Sequence, residues 1–153
     1  GIKWRNDVMV GGKTAGIFSE SLDHPKGNVF LIGIGININQ EEKDLLSIGQ
    51  PANSLKAATS AEEEFDLNEV YDVVSRHLYF NLNIMNTFGF DRLKPEIEAQ
   101  LTHIGERISV KERGSDEILT GKMLGINAEG GLRLEMEDGR VAEILEGRIL
   151  KED

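Results

Sequence analysis

The sequence predicts an α+β protein, in which a mixed or antiparallel sheet with covering helices is followed by a small β-barrel. Two apolar strand patterns with glycine-rich turns precede residue 40, and two helical patterns follow them. Beyond residue 104, short apolar runs alternate with turns at intervals of ~8–12 residues, which is typical of small barrels. We therefore place a domain boundary there, between segments 1–103 and 104–153.

The composition narrows the class of protein. The 153 residues include 39% hydrophobic and 29% charged side chains and only 3 prolines, as in a globular chain. A net charge of -10 argues against non-specific nucleic-acid binding, which needs Lys and Arg to neutralise phosphates. The chain has no cysteine, and no apolar stretch reaches the ~18 residues of a membrane span. We expect a cytoplasmic protein that contacts neither membrane nor nucleic acid.

The first twenty residues predict a β-hairpin that carries a lysine just after its turn. Residues 8–10 form a short apolar strand, residues 11–12 a two-glycine turn, and residues 17–18 resume the apolar pattern on the return strand. Lys13, beside this glycine-rich backbone, can hold an anionic group, and a solvated surface lysine is the plainer alternative. The sequence Gly-Lys-Thr here resembles the end of a P-loop, but Asp7 occupies the position of the first glycine that a P-loop needs.

A second apolar run, residues 29–39, predicts a strand that is buried on both faces at its start. Gly33 and Gly35 lie two residues apart, so they face the same side and leave a flat strip. A ring or another backbone can lie on such a strip, and close packing of the strand on a helix is the alternative. Asn37 continues this face, and its amide has donors and acceptors that suit an adenine edge.

The middle of the chain predicts a long loop and then two helices. Residues 41–59 are polar and irregular, and we expect nucleotide binding to order them. An N-cap at Asp66 and apolar residues at helical spacing predict a helix over 66–88. A shorter helix is predicted over 91–102, with Pro95 tolerated in its first turn. The terminal strands carry no catalytic set, so a packing or docking role is the plain interpretation there.

Several motifs, in their order along the chain, resemble those of the biotin protein ligase family. They are Lys3-Trp4-Arg5-Asn6-Asp7, Lys13-Thr14-Ala15-Gly16-Ile17, Gly33-Ile34-Gly35-Ile36-Asn37, Asn53-Ser54-Leu55 and the terminal barrel. Enzymes of that family activate biotin with ATP to biotinyl-5'-AMP and then transfer biotin to a lysine of a biotin carboxyl carrier protein. The family pattern has proline where this chain has Arg5, and more often threonine where it has Asn53.

The resemblance implies a partial class II aminoacyl-tRNA synthetase/biotin ligase-like fold followed by an SH3-like barrel. It places the chain at the second half of the catalytic domain plus the C-terminal domain. It also implies residue roles: Lys13 as the catalytic group on the biotin carboxylate and phosphate, Gly16 and Phe18 at biotin, Lys3, Asn6, Gly33, Gly35 and Asn37 at ATP and the adenylate, and Asp7 at Mg²⁺.

Three features of the family pattern do not occur in these residues. They are the Gly-Arg-Gly-Arg type loop over the adenylate, the serine- and arginine-bearing segments that complete the biotin site, and a helix-turn-helix. We therefore expect a ligase that needs its missing N-terminal half for activity and that has no repressor activity. The chain also opens directly in an apolar strand pattern, without an initiator Met, as part of a longer polypeptide would.

Two other interpretations remain open at this stage. One is a non-catalytic or split homologue that acts as a carrier-protein interaction module, and the other is a lipoate-ligase-like enzyme. The edge of a truncated sheet also makes a homodimer a further expectation, because unpaired strand edges favour association.

Overall fold

The computed structural model describes residues 1–49 and 51–150. Residues 6–72 form one unit, and residues 1–5 join the chain from Val73 onward in the other. The first strand, β1 (Ile2–Lys3), belongs to this second unit. The predicted boundary between segments 1–103 and 104–153 stays a prediction.

The unit of residues 6–72 is built on antiparallel strands. They are β2 (Asp7–Met9), β3 (Lys13–Leu22) and β4 (Val29–Ile36), with β3 in the centre. β2 pairs with β3 only as far as Gly16, whereas β3 and β4 pair over their whole common length. The sheet therefore continues beyond Gly16 as a two-stranded ribbon.

The predicted hairpin at the start of the chain is confirmed. Gly11 and Gly12 have φ values of 63° and 151°, a region of backbone conformation that residues with a Cβ rarely adopt. The turn is one residue longer than predicted, because Met9 pairs with Lys13 across a β-bulge. This bulge and the two glycines bring Lys13 back alongside β2.

The start of β4 is exposed, so the prediction of a strand buried on both faces was wrong. Phe30 is 67% exposed, and its neighbours Val29, Leu31 and Ile32 are also exposed. In this part β4 pairs only with the outer half of β3, and the described residues of the unit supply no layer over it. We call residues 17–22 and 29–34 the outer ribbon.

Short helices replace the irregular loop that was predicted after β4. They are α1 (Glu42–Leu45), a 3-10 segment (Leu46–Ile48) and α2 (Leu55–Thr59), while Gln50 lies outside the described residues. Ser54 is fully buried and caps α2: its Oγ accepts from Ala57 N at 3.1 Å and donates to Gln40 O at 2.7 Å. Ordering of this segment by nucleotide stays a prediction.

The two predicted helices are confirmed, the second in shorter form. The first is α3 (Leu67–Phe88), which the carboxylate of Asp66 caps and in which no residue is buried. The second is α4 (Lys94–Gln100), which follows a 3-10 turn (Phe90–Arg92) and carries Pro95 in its first turn. No helix in the part of the chain that the structure describes is long and apolar enough to cross a membrane.

The C-terminal part, for which the sequence predicts a small barrel of short strands, forms one antiparallel sheet. Its strands are β5 (Arg107–Glu112), β6 (Ile118–Ile126), β7 (Leu132–Glu135), β8 (Val141–Ile144) and β9 (Gly147–Ile149). They are arranged in the order β8-β7-β6-β5-β9. Within residues 107–149, no strand ladder joins β8 to β9, so the barrel is not closed by hydrogen bonds.

The core of this second unit lies between these strands and the start of the chain. Trp4 is buried in it, and its indole N–H donates to Gly130 O at 3.0 Å. β1 forms a parallel bridge between Ile2 and Leu101, which also belongs to the core. The other buried members alternate along the strands: Ile108, Val110, Met123, Ile126, Leu132, Leu134, Ile144 and Ile149. These contacts explain why residues 1–5 belong to this unit.

Candidate functional site

A lysine–carboxylate pair lies where the hairpin turn ends. The Nζ atom of Lys13 is 2.7 Å from Oδ1 of Asp7, and the two side chains are 33% and 29% exposed. The pairing of β2 with β3 brings the two residues together. An ammonium group has three donors, so Lys13 keeps donors for further oxygens. A partly exposed cation held in this way can bind an added carboxylate or phosphate.

Gly16 leaves the space in which the Lys13 side chain lies. A Cβ atom at Gly16 would be 3.3 Å from Cε and 3.4 Å from Nζ of Lys13, and 3.7 Å from Oδ1 of Asp7. The 3.3 Å distance is tight, so a methyl group here would press on the end of the Lys13 side chain, while the other two distances are ordinary van der Waals contacts. The absence of a side chain at Gly16 therefore helps to set the position of the Lys13 charge.

The strand register places four of the predicted site residues on one face of the sheet. Gly16 pairs with Gly35, and Phe18 pairs with Gly33. Residues directly opposite each other in such a ladder point to the same side. A Cβ atom at Gly35 would meet nothing within 4 Å, and one at Gly33 would meet only Phe18, at 3.9 Å. Among the described residues of the unit 6–72, nothing else lies on this glycine strip, so within the unit it is open to a ligand.

An open pocket of about 440 Å³ adjoins the lysine–carboxylate pair. This volume lies within the ~300–1,000 Å³ range of small-molecule sites. Lys13 is the charged side chain among its lining residues, which are Lys13, Thr14, Ala15, Gly16, Gly35, Ile36, Asn37 and Ala52. The pocket thus presents one cation against a wall of backbone and small side chains.

Asn37 joins the strands to the neighbouring loop. Its Nδ2 donates to Asn53 O at 3.0 Å and to Lys13 O at 3.4 Å, and its backbone N–H donates to Thr14 O at 2.8 Å. The amide donors that we expected at an adenine edge are used here by protein carbonyls. A role at the adenine stays a prediction, and it would use the amide oxygen as an acceptor.

The other predicted residues lie at the edges of this group or in the other unit. Asn6 forms two hydrogen bonds with the backbone of Ile17. Its Nδ2 donates to Ile17 O at 2.5 Å, and Ile17 N–H donates to Asn6 O at 2.9 Å. Phe18 is exposed on the face of the glycine strip. Lys3 lies in β1 and is part of the other unit.

Asp7 supplies the carboxylate of the predicted magnesium contact. Mg²⁺ that is bound mainly by substrate phosphates takes one or two protein carboxylates, so this donor fits the ion to that extent. No group of three or more acidic or histidine side chains suited to a metal occurs in the described part of the chain. Asp7 as a Mg²⁺ contact stays a prediction, beside its observed pairing with Lys13.

The segment 51–54 borders the pocket through Ala52, and its residues 53–54 were expected only as part of a motif, without a role in the site. Ala52 forms a parallel bridge with Lys13. Lys13 N–H donates to Pro51 O at 2.9 Å, and Asn53 N–H donates to Lys13 O at 3.0 Å. These bonds fix the backbone of Lys13 from the side opposite to β2. An amide followed by an N-cap serine, after a proline, was the available signal for such a segment.

Comparison with known proteins gives consistent matches. A family model described as "Biotin protein ligase C terminal domain" matches residues 103–151. Two curated relatives named "Bifunctional ligase/repressor BirA", from Bacillus spizizenii and Bacillus subtilis, are each 33% identical over 141 residues. Each match covers 90% of this chain and 42% of the relative. The chain thus spans less than half the length of these relatives.

Solved structures of a biotin protein ligase from Aquifex aeolicus have the same fold. The complex with biotin and ATP superposes with a TM-score of 0.79 at 28% identity, over 99% of this chain and 62% of that chain. The apo structure gives a TM-score of 0.81 at 29% identity, over 99% of this chain and 65% of that one. Sequence and fold comparisons therefore agree. The family model, the curated relatives and the solved structures all point to the C-terminal region of the biotin protein ligase family.

Proposed function

We propose that the chain is the C-terminal part of an enzyme that activates biotin with ATP and transfers it to a lysine of a biotin carboxyl carrier protein. The observation that carries this proposal is the Lys13 ammonium, held by Asp7 at 2.7 Å in a pocket beside an open glycine strip. The related Aquifex enzyme was solved with biotin and ATP, which supports these two substrates.

In the first step, a carboxylate oxygen of biotin attacks the α-phosphorus of ATP. A bond forms between that oxygen and the phosphorus, and the bond to the bridging oxygen breaks, which releases pyrophosphate. Both reactants are anionic, and Lys13 offsets the charge that gathers on the carboxylate and phosphoryl oxygens. A donor placed at such oxygens contributes ~10²–10³-fold to the rate. Asp7 and Gly16 hold the ammonium in position.

In the second step, the neutral amine of the carrier lysine attacks the acyl carbon of biotinyl-5'-AMP. The carbon–nitrogen bond forms, the bond from the acyl carbon to the AMP oxygen breaks, and the amine loses a proton. Lys13 is suited to stabilise the oxygen that becomes negative at the acyl carbon.

The remaining residues would bind the substrates. Biotin would lie against Gly16 and Phe18, and Mg²⁺, when bound through the phosphates and Asp7, would neutralise phosphate charge. ATP and the adenylate would lie against Asn6, Gly33, Gly35 and Asn37, and the resemblance also assigns Lys3 to the nucleotide.

We also propose that activity needs the N-terminal part of the family's catalytic domain. The pocket is open, and its lining offers one cation where a carboxylate and a triphosphate must meet. The outer ribbon offers an apolar face to such a part, or to a second copy in a homodimer.

Calorimetry with biotin and ATP tests this requirement. We expect the chain alone to show little heat of binding, and the chain joined to the N-terminal part of the Aquifex ligase to bind both and to biotinylate a carrier lysine. Tight formation of biotinyl-5'-AMP by the chain alone would contradict the requirement. A joined protein that binds the carrier without modifying it would instead identify an interaction module.

A further inference from the structure

The unit that contains β5 and β9 carries a cluster of cations on an otherwise acidic chain. The whole sequence has 27 acidic against 17 basic residues. Four of the basic residues line one open cavity of about 320 Å³, together with the single acidic residue Glu112. They are Arg5, Lys111, Arg113 and Arg148, which we call the basic face.

The β5–β9 ladder places two of these cations directly opposite each other. Val110 pairs with Ile149, and both are buried in the core. The next pair along the ladder is Lys111 with Arg148, so these side chains point to the outer side. Like charges at directly opposite positions destabilise a sheet, and an anion that binds between them removes this cost.

The carboxylates around the basic face neutralise its positive charge only in part. Oε2 of Glu146 lies 3.0 Å from Nη1 of Arg113, and Oε1 lies 3.9 Å from Nη1 of Arg5, so one carboxylate pairs with two guanidinium groups. Lys111 pairs with the exposed Asp116 at 2.9 Å. Arg148 takes part in no ion pair with the rest of residues 1–49 and 51–150. Arg113 remains 75% exposed, so an incoming anion can reach it.

We propose that the basic face docks an acidic segment of a protein partner, with its carboxylates bound between Lys111 and Arg148 and at Arg5 and Arg113. Guanidinium groups bind carboxylates through two parallel hydrogen bonds. The cations are spread around an open cavity, so several carboxylates along a peptide reach them better than one small anion does. On a chain of charge -10, a positive face also sets the orientation in which an acidic partner approaches.

Arg5 distinguishes the basic face of this chain from the family pattern. The pattern described above has proline at this position, which carries no charge and cannot reach Glu146. The proposal also stands independently of the ligase reaction, because none of the four cations is among the residues assigned to biotin, ATP or Mg²⁺.

Fluorescence anisotropy with a labelled hexapeptide of Glu and Asp tests the proposal. A matched hexapeptide of Gln and Asn is the neutral probe. We expect the acidic peptide to bind and the neutral one not to bind. The double substitution Lys111→Gln with Arg148→Gln should weaken binding about fivefold or more, since each exposed ion pair contributes ~0.2–1 kcal/mol and these two act together.

The control removes the same charge from the same unit. Arg107→Gln with Arg140→Gln lies outside the basic face, where both arginines are in exposed ion pairs at 2.6 Å. Equal weakening in the two double variants would overturn the proposal, because general attraction would then explain binding. Displacement of the peptide by inorganic phosphate at equal charge concentration would also overturn it in favour of a small-anion site. Arg113→Gln alone repeats the test should the double variant fail to fold.

Discussion

The position of the Lys13 ammonium depends on four neighbours. Asp7 holds it at 2.7 Å, Gly16 leaves room for it, and Pro51 and Asn53 hydrogen-bond its backbone. A lysine without such neighbours loses side-chain entropy when it binds a ligand, which weakens its contribution. The structure therefore supports an ammonium that is positioned before substrates bind.

Gly35 provides a test of the glycine strip at the level of one residue. A Cβ atom there meets no protein atom within 4 Å, so Gly35→Ala should leave the free energy of unfolding within about 0.5 kcal/mol of the original. In the joined ligase the added methyl should raise the dissociation constant for ATP, since it occupies the strip. Urea unfolding and ATP titration measure the two effects.

The neighbouring Ile34 points to the other face, so Ile34→Val serves as the control for nucleotide binding. Unchanged ATP affinity in Gly35→Ala would show that the nucleotide does not lie on the strip. A large loss of stability in the free chain would show that the strip is packed in solution.

Residue chemistry was the part most accessible from sequence. The turn before Lys13 could be predicted because two glycines between two apolar runs favour a tight hairpin turn. Such a turn places the next residue at the start of the return strand. The pairing of Lys13 with Asp7 could not, since it depends on the bulge in β2 that sets their register. The use of the Asn37 amide by Asn53 O depends likewise on a contact between distant segments.

At the scale of elements, a single carboxylate joins α4 to β6. Oε1 of Glu98 accepts from Ile126 N at 3.1 Å, and Oε2 pairs with Lys94 at 3.2 Å. A Cβ atom at Gly125 would lie 2.6 Å from Glu98 Oε1, so a glycine is required there. Partial burial raises the pKa of Glu98, but the Ile126 and Lys94 hydrogen bonds outweigh it and lower the pKa below the ordinary 4.5.

This lowered pKa predicts a pH-dependent contribution to stability. The ionised Glu98 stabilises the fold above its unfolded-state pKa of 4.5, and that stability is lost as the pH falls through the lower folded-state pKa. Glu98→Gln should therefore cost about 1 kcal/mol at pH 7, and less as the original protein becomes protonated in acid. Urea unfolding at pH 7 and pH 3 measures both values.

Glu96→Gln is the matched control on the same helix. Glu96 lies 3.9 Å from Arg92 in an exposed pair, so its replacement should change stability little at either pH. An equal loss for Glu98→Gln at pH 7 and pH 3 would contradict the titration of Glu98.

The elements show what periodicity can and cannot predict. α3 and the five C-terminal strands were predicted because their apolar spacing is regular over many residues. α1 and α2 were missed because four- and five-residue helices depend on contacts such as the Ser54 cap. The start of β4 was wrongly predicted to be buried. An apolar run indicates that a strand can be buried, but it does not show whether another element packs on it.

At the scale of the whole molecule, most of the exposed large apolar side chains among the described residues lie on the outer ribbon or on α3. The ribbon carries Ile17, Phe18, Leu22, Val29, Phe30, Leu31 and Ile32, all of them exposed. They lie on both faces of the ribbon, because successive residues of a strand point to opposite sides. Exposed apolar surface of this kind favours association. We therefore expect the chain on its own to associate with itself.

Sedimentation velocity measures this association. Phe30→Ser should weaken self-association about tenfold or more, since a buried Phe side chain contributes ~1.5–3 kcal/mol. The control is Leu46→Ser, at an apolar residue that is 78% exposed outside the ribbon. A chain that stays monomeric at high concentration would contradict self-association through the outer ribbon. Equal effects of the two substitutions would contradict it too.

We propose that Lys13 is the catalytic group in the activation of biotin, and ATP–pyrophosphate exchange in the joined ligase measures this step. Lys13→Ala should lower the biotin-dependent exchange rate ~10²–10³-fold while the free energy of unfolding changes little. Lys26→Ala, at an exposed lysine in the turn between β3 and β4, should leave the rate unchanged. Exchange that persists at the original rate in Lys13→Ala would contradict the assignment.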